Sequence, residues 1–271
     1  MSLTEAMVIE SLKGFIDPNT GKNLVETKSI GSIEIVDNKP NIKIVLGYPA
    51  KNFARNLNEM IIKQLSSSDI SCGEVEISWK IESHSVQKSL QPMQNIKNVI
   101  AVASGKGGVG KSTTAVNLAL ALSSEGSNVG ILDADIYGPS QPRMLGLKGQ
   151  PESQDGKSLE PMENYNIQAM SIGFLIDEET PMIWRGPMVT QALEQLLSDT
   201  QWKSLDYLII DLPPGTGDVQ LTLAQKIPVS GAVIVTTPQD IALLDARKGL
   251  KMFEKVEVPV LGIVENMSLH I

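Results

Sequence analysis

Along the first eighty residues the spacing of apolar positions changes three times. Leu3, Met7, Val8, Leu12 and Phe15 recur at helical intervals over Leu3 to Gly14, and Asp17-Pro18-Asn19-Thr20-Gly21 then supplies turn chemistry. Ile30 to Val36 and Asn41 to Leu46 alternate apolar with polar residues, and Val75, Ile77 and Trp79 mark a third strand. Between them, Asn52 to Leu65 carries Phe53, Leu57, Met60, Ile61 and Leu65 at helical spacing. A helix, a hairpin, a helix and a strand make a small α+β domain over 1–82. Ser83 to Lys97 then turns to Ser, Gln, Lys and Pro without periodicity, which predicts a linker over 83–97.

From residue 98 to 271 the pattern becomes one of short continuous apolar runs separated by helical stretches, the signature of a parallel sheet buried on both faces. Strands are expected at Val99 to Ala103, Asn128 to Leu132, Ile167 to Ile172, Tyr207 to Ile210, Gly231 to Thr236 and Val260 to Val264. Helices are expected at Lys111 to Ser124, Met188 to Ser198, Asp218 to Lys226 and Ala242 to Lys255. Right-handed crossovers wind such units into an open sheet with helices on both faces, and ligands on such sheets sit beyond the carboxyl ends of the strands.

Composition narrows the function classes. A net charge of −8 without a cluster of Lys or Arg points away from nucleic acid and from anionic membrane surfaces. One cysteine, Cys72, permits no intrachain disulfide, and no apolar run reaches the length of a membrane helix, so a cytoplasmic protein is expected. Cys72 reads as a small buried hydrophobe rather than a ligand.

The chemistry begins at Gly105-Lys106-Gly107-Gly108-Val109-Gly110-Lys111-Ser112-Thr113, a P-loop placed between an expected strand and an expected helix. Glycines allow backbone N–H groups to turn inward on a polyphosphate, Lys111 can reach the β and γ phosphates, and the Ser112 hydroxyl can hold Mg²⁺. ATP and Mg²⁺ are therefore the expected ligands. Asp211, ending the strand Tyr207 to Ile210, suits a Walker B carboxylate that holds Mg²⁺ through water. Asp133 and Asp135 follow the second strand; Asp133 reads as support for the Mg²⁺ shell or as a turn or helix cap. Asp211-Leu212-Pro213-Pro214-Gly215-Thr216-Gly217-Asp218 reads either as a switch that relaxes after hydrolysis or as an ordinary loop with Asp218 as N-cap.

A lysine directly after the first glycine of the loop resembles the deviant Walker A of the MinD, ParA and nitrogenase iron protein superfamily. That resemblance implies that Lys106 crosses a dimer interface to the partner's phosphates, the alternative being a solvated loop lysine. It also implies that Asp135 positions or activates the attacking water.

Further segments are similar to the Mrp/ApbC family of ATP-dependent iron–sulfur cluster carriers. They are Asn98 to Gly105, Leu132-Asp133-Ala134-Asp135-Ile136-Tyr137-Gly138-Pro139-Ser140, Trp184-Arg185-Gly186-Pro187-Met188, Asp211 to Asp218, and Val264-Glu265-Asn266-Met267-Ser268. The segment before the linker resembles a domain also found in iron–sulfur assembly factors. The resemblance implies an α/β P-loop NTPase with a mostly parallel sheet, preceded by the small α+β domain. It further implies an ATPase that forms a homodimer and hands clusters to apo iron–sulfur proteins together with assembly factors. Asn266 corresponds to the asparagine expected to read adenine, the alternative being a turn after the last strand.

The family's cluster is expected on a Cys-x-x-Cys pair soon after Asn266-Met267-Ser268, and the sequence reaches Ile271 without it. Cys72, His84 and His270 cannot supply four cluster ligands, so no iron–sulfur ligands are expected in this chain. The 271 residues are read as a shortened form, with cluster binding belonging to the intact parent and hydrolysis weakened. Two other readings stand beside the carrier: a MinD/ParA-like positioning or partitioning ATPase, and a nucleotide-binding regulatory subunit.

Overall fold

The computed structural model describes residues 2–84, 90–175 and 186–269. The chain divides into two compact units, Met1–Glu82 with Ser124–Gly126, and Ser83–Ser123 with Ser127–Ile271. Trp184, Arg185, His270 and the middle of the expected linker lie outside the described residues.

In the first unit, α1 (Glu5–Lys13) and α2 (Ala54–Ser67) accompany a sheet of β1 (Ile30–Val36), β2 (Lys39–Leu46) and β3 (Val75–Trp79). α1 starts two residues later than its apolar spacing suggests because Thr4 is its N-cap, the hydroxyl accepting from the Met7 amide. β1 and β2 pair antiparallel through Asp37-Asn38, both at positive φ as a two-residue hairpin turn requires. β3 adds parallel to β2, with α2 as the crossover. Alternation along β2 turns Ile42, Ile44 and Leu46 inward onto Val8, Leu12, Leu57, Ile61 and Leu65.

The second unit is a seven-stranded sheet in the order β10-β9-β4-β8-β5-β7-β6. Its strands are β4 (Ile96–Ser104), β5 (Val129–Asp133), β6 (Met162–Asn164), β7 (Ile167–Ser171), β8 (Leu205–Asp211), β9 (Gly231–Thr236) and β10 (Val260–Glu265). All neighbours pair parallel except β6 with β7. The helices are α3 (Lys111–Ser124), α4 (Gln141–Met144), α5 (Gly186–Asp199), α6 (Asp218–Lys226) and α7 (Asp240–Lys255).

The period-2 alternation of the strands decides which helix covers which face. Ala101, Leu132, Met170, Leu208, Ile210 and Ile234 join Val189 and Leu193 of α5, Leu223 of α6 and Phe253 of α7 in one core. Val102, Ile131, Ala169, Ile209 and Val235 join Ala115, Val116 and Ala119 of α3 in the other. Two elements escape the sequence pattern. β6 is only three residues long and is joined to β7 through Tyr165-Asn166, both at positive φ; α4 is a single turn with a proline in it. Among the described residues no helix is long and apolar enough to cross a membrane.

Candidate functional site

The sheet order places β4, β8 and β5 side by side, so their carboxyl ends deliver three chain segments to one place. Register sharpens this: Val102 of β4 lies opposite Asp211 of β8, Asp211 opposite Asp133 of β5, and Asp133 opposite Ser171 of β7. Two acidic side chains far apart in sequence are thereby fixed at the mouth of the loop that follows β4.

That loop, Gly105 to Gly110, passes directly into α3 at Lys111. Gly108 and Gly110 have φ of +81° and +85°, a region that residues with a Cβ rarely adopt. At Gly107 and Gly108 a Cβ would meet nothing within 4 Å, so the backbone lines open space. Gly105 differs, because a Cβ there would stand 2.5 Å from the main-chain carbon of Asp245 in α7. A Cβ on Gly110 would strike the amide of Asn266, which leaves β10 and donates to the Val109 carbonyl at 2.9 Å.

Lys111 is buried, and its ammonium contacts three groups: Asp211 Oδ1, Ser112 Oγ at 3.2 Å, and Asp135 Oδ2 at 3.9 Å. The other oxygen of Asp211 accepts from Gln141 Nε2 at 2.9 Å, and the same nitrogen donates to the Ser112 carbonyl at 3.0 Å. Asp133 is fully buried. Its Oδ2 accepts from the amides of Ser140 and Gln141 and from the Ser171 hydroxyl, while Oδ1 accepts from the Asp135 amide. Burial foremost, then the nearby Asp211 charge, pushes the Asp133 carboxyl up to about 7, against the opposing pull of those backbone amides. Burial also raises Asp135, partly offset by Lys111.

Of the residues singled out from sequence, Lys111, Ser112, Asp133, Asp135 and Asp211 thus converge in one cluster. Gly107, Gly108, Val109, Gly110 and Asn266 form the adjoining loop wall. Lys106 is half-buried and Thr113 exposed; among the described residues no ion pair is recorded for Lys106. Two members of the cluster, Gln141 and Ser171, were not legible beforehand, because a lone glutamine or serine in a turn-rich stretch carries no pattern. In the segment after Asp211, Gln220 of α6 bonds the Pro213 carbonyl, and Gly217 occupies the N-cap position of α6.

The set Ser112 hydroxyl and Asp211 carboxylate consists of hard oxygen donors, the type that Mg²⁺ takes, beside a loop with open space at Gly107 and Gly108. Those residues fit a metal-bound polyphosphate. Among the described residues no three His, Cys, Asp or Glu gather into a metal-ligand group.

This architecture is that of a P-loop NTPase fold, and comparison with known proteins narrows it. A family model described as "NUBPL iron-transfer P-loop NTPase" matches residues 95–271. The chain belongs to this family. A second family model, "Iron-sulfur cluster assembly protein", matches residues 5–78. The iron-sulfur cluster carrier protein of Escherichia coli (strain K12) is 51% identical over 98% of this chain and 73% of its own length. That of Synechocystis is 49% identical over 99% of this chain and 78% of its own. The mouse iron-sulfur cluster transfer protein NUBPL is 60% identical over 66% of this chain and 57% of its own. Among solved structures, a nucleotide-binding protein from Archaeoglobus fulgidus in complex with ADP superposes with a TM-score of 0.56 at 45% identity, covering 64% of this chain and 68% of that one.

Proposed function

We propose that this protein binds and hydrolyses ATP to assemble iron–sulfur clusters or transfer them to apoproteins, acting as a homodimer in the cytoplasm. The observation that carries the proposal is the buried Lys111–Asp211 pair at the mouth of a P-loop, in a chain half identical to proteins named as cluster carriers.

In this reading the triphosphate rests on the amides of Gly107 to Thr113 and on the N-terminus of α3. Lys111 would turn from Asp211 to the β and γ phosphates, and Asp211 and Ser112 would hold Mg²⁺, which would supply positive charge to offset that of the phosphates. Asp135 sits within reach of Lys111, and its raised proton affinity suits a group that orients the attacking water and holds its proton as the oxygen bonds to the γ phosphorus and ADP departs. Asp133 is proposed as the brace of this arrangement, since the amides of Asp135, Ser140 and Gln141 and the Ser171 hydroxyl engage both its oxygens. Asn266, whose amide donates to the Val109 carbonyl, is proposed to read the adenine base. Lys106, without an ion pair among the described residues, is proposed to reach the phosphates of a second copy. With one cysteine in the sequence, a cluster on this polypeptide needs ligands from outside its own 271 residues.

Lys106→Ala is expected to leave ATP binding within about threefold while removing hydrolysis and ATP-linked dimerisation; Lys111→Ala is expected to remove binding as well. Calorimetry, phosphate release and light scattering read these separately. Equal effects of the two substitutions would refute the role of Lys106 across a dimer. The carrier role is tested by reconstituting the native polypeptide with iron and sulfide and offering it an apo-ferredoxin-type acceptor. A protein that neither takes up nor passes on a cluster is not a carrier.

A further inference from the structure

Gln141 opens α4, eight residues after the end of β5, and its side chain is only 1% exposed. A buried carboxamide has two donors and two acceptor positions to satisfy, and leaving one unmet costs free energy comparable to a lost hydrogen bond. Its Nε2 meets two acceptors at once, the Ser112 carbonyl at 3.0 Å and Asp211 Oδ2 at 2.9 Å. Because both partners accept, the nitrogen must be the atom that faces them, and the orientation of the amide is fixed. Oε1 is left buried, without a hydrogen-bond partner among the described residues. The backbone of the same residue donates to Asp133 Oδ2 at 3.0 Å. One residue therefore ties together the start of α3, the end of β8 and the loop that carries Asp135.

We infer that Gln141 is a positioning residue for the divalent cation of the nucleotide site, acting through Asp211 and Ser112; the inference rests on the Mg²⁺-nucleotide reading above. Asp211 is held from both sides, with Lys111 on Oδ1 and Gln141 on Oδ2. When Lys111 turns to the phosphates, Gln141 is the neutral group that still fixes the carboxylate without competing for its charge. A second lysine in its place would oppose a cation; an amide does not. Outer groups that orient metal ligands in this way typically change metal affinity by about 10-fold to 100-fold when removed.

The test compares the wild type with Gln141→Met, which keeps side-chain volume but removes both amide groups, and with the smaller Gln141→Ala. A fluorescent ADP analogue is titrated with EDTA present and again across a Mg²⁺ series, and melting temperatures are recorded alongside. The expected result is that affinity in EDTA stays within about twofold of wild type, while the Mg²⁺ concentration for half-maximal tightening rises roughly 10-fold or more in both variants. Where one variant melts early, the other carries the comparison. An unchanged Mg²⁺ midpoint in a folded variant overturns the inference, as does an equal loss of affinity with and without Mg²⁺, which marks a merely structural residue. A wild type that binds ADP no better with Mg²⁺ than with EDTA would instead overturn the nucleotide-site reading on which the inference stands.

Discussion

Asp133 shows how a single side chain is constrained by where a strand ends. Its carboxylate organises the turn into α4 by accepting the amides of Asp135, Ser140 and Gln141, yet it is fully buried beside Asp211. Its carboxyl therefore titrates near 7 in the folded chain instead of at the ordinary 3.8. Between those two values the unfolded chain has released this proton and the folded chain has kept it. The folded state binds more protons there, so this group makes stability fall as pH rises from about 4 to about 7, and the loss is complete above that window. Asp133→Asn has no proton to lose. The difference in unfolding free energy, wild type minus Asp133→Asn, is expected to decline by about 2–4 kcal/mol across that range, measured by urea denaturation at several pH values. A difference that stays flat with pH would show that Asp133 titrates normally.

Among elements, the loop between β4 and α3 joins glycines that are needed for opposite reasons. Gly105 is needed for packing: a Cβ would press on the main chain of α7 at Asp245, which cannot swing aside as a side-chain tip can. Gly107 is needed for access, since nothing lies within 4 Å of its missing Cβ. Gly105→Ala is accordingly expected to cost about 1–3 kcal/mol of stability, seen as a lowered melting temperature, and to weaken nucleotide binding with it. Gly107→Ala is expected to melt like wild type and to lose affinity alone. If both substitutions lowered the melting temperature equally, the distinction drawn from the packing would be wrong. Element boundaries were legible to within a few residues, because most strands and helices are long enough to show their period. β6 and α4 were not, since three or four residues cannot establish one.

For the whole molecule, the chain holds separate hydrophobic cores in its two units, one built on Leu12, Ile44, Leu57 and Ile61, the others on the two faces of the large sheet. A polypeptide of residues 1–82 is expected to unfold in one cooperative transition without the remainder, followed by far-ultraviolet circular dichroism. A broad, non-cooperative melt would show that this core does not suffice. The break in pattern near residue 83 predicts two bodies, because a switch from α+β to parallel-sheet patterning is written in the order of the elements.

What the amino-acid order settled unaided was the local chemistry: a loop whose glycines admit positive φ, a lysine at its end, and carboxylates where apolar runs stop. Those features depend on neighbours in the chain, so reading along it finds them. Which carboxylate faces which cation was settled only by strand order and register, which set Asp133 beside Asp211 across seventy-odd residues and turned Gln141 onto both Ser112 and Asp211. A glutamine in a turn has no periodicity to betray it; its role arises from burial and from the acceptors that three separate segments bring within reach.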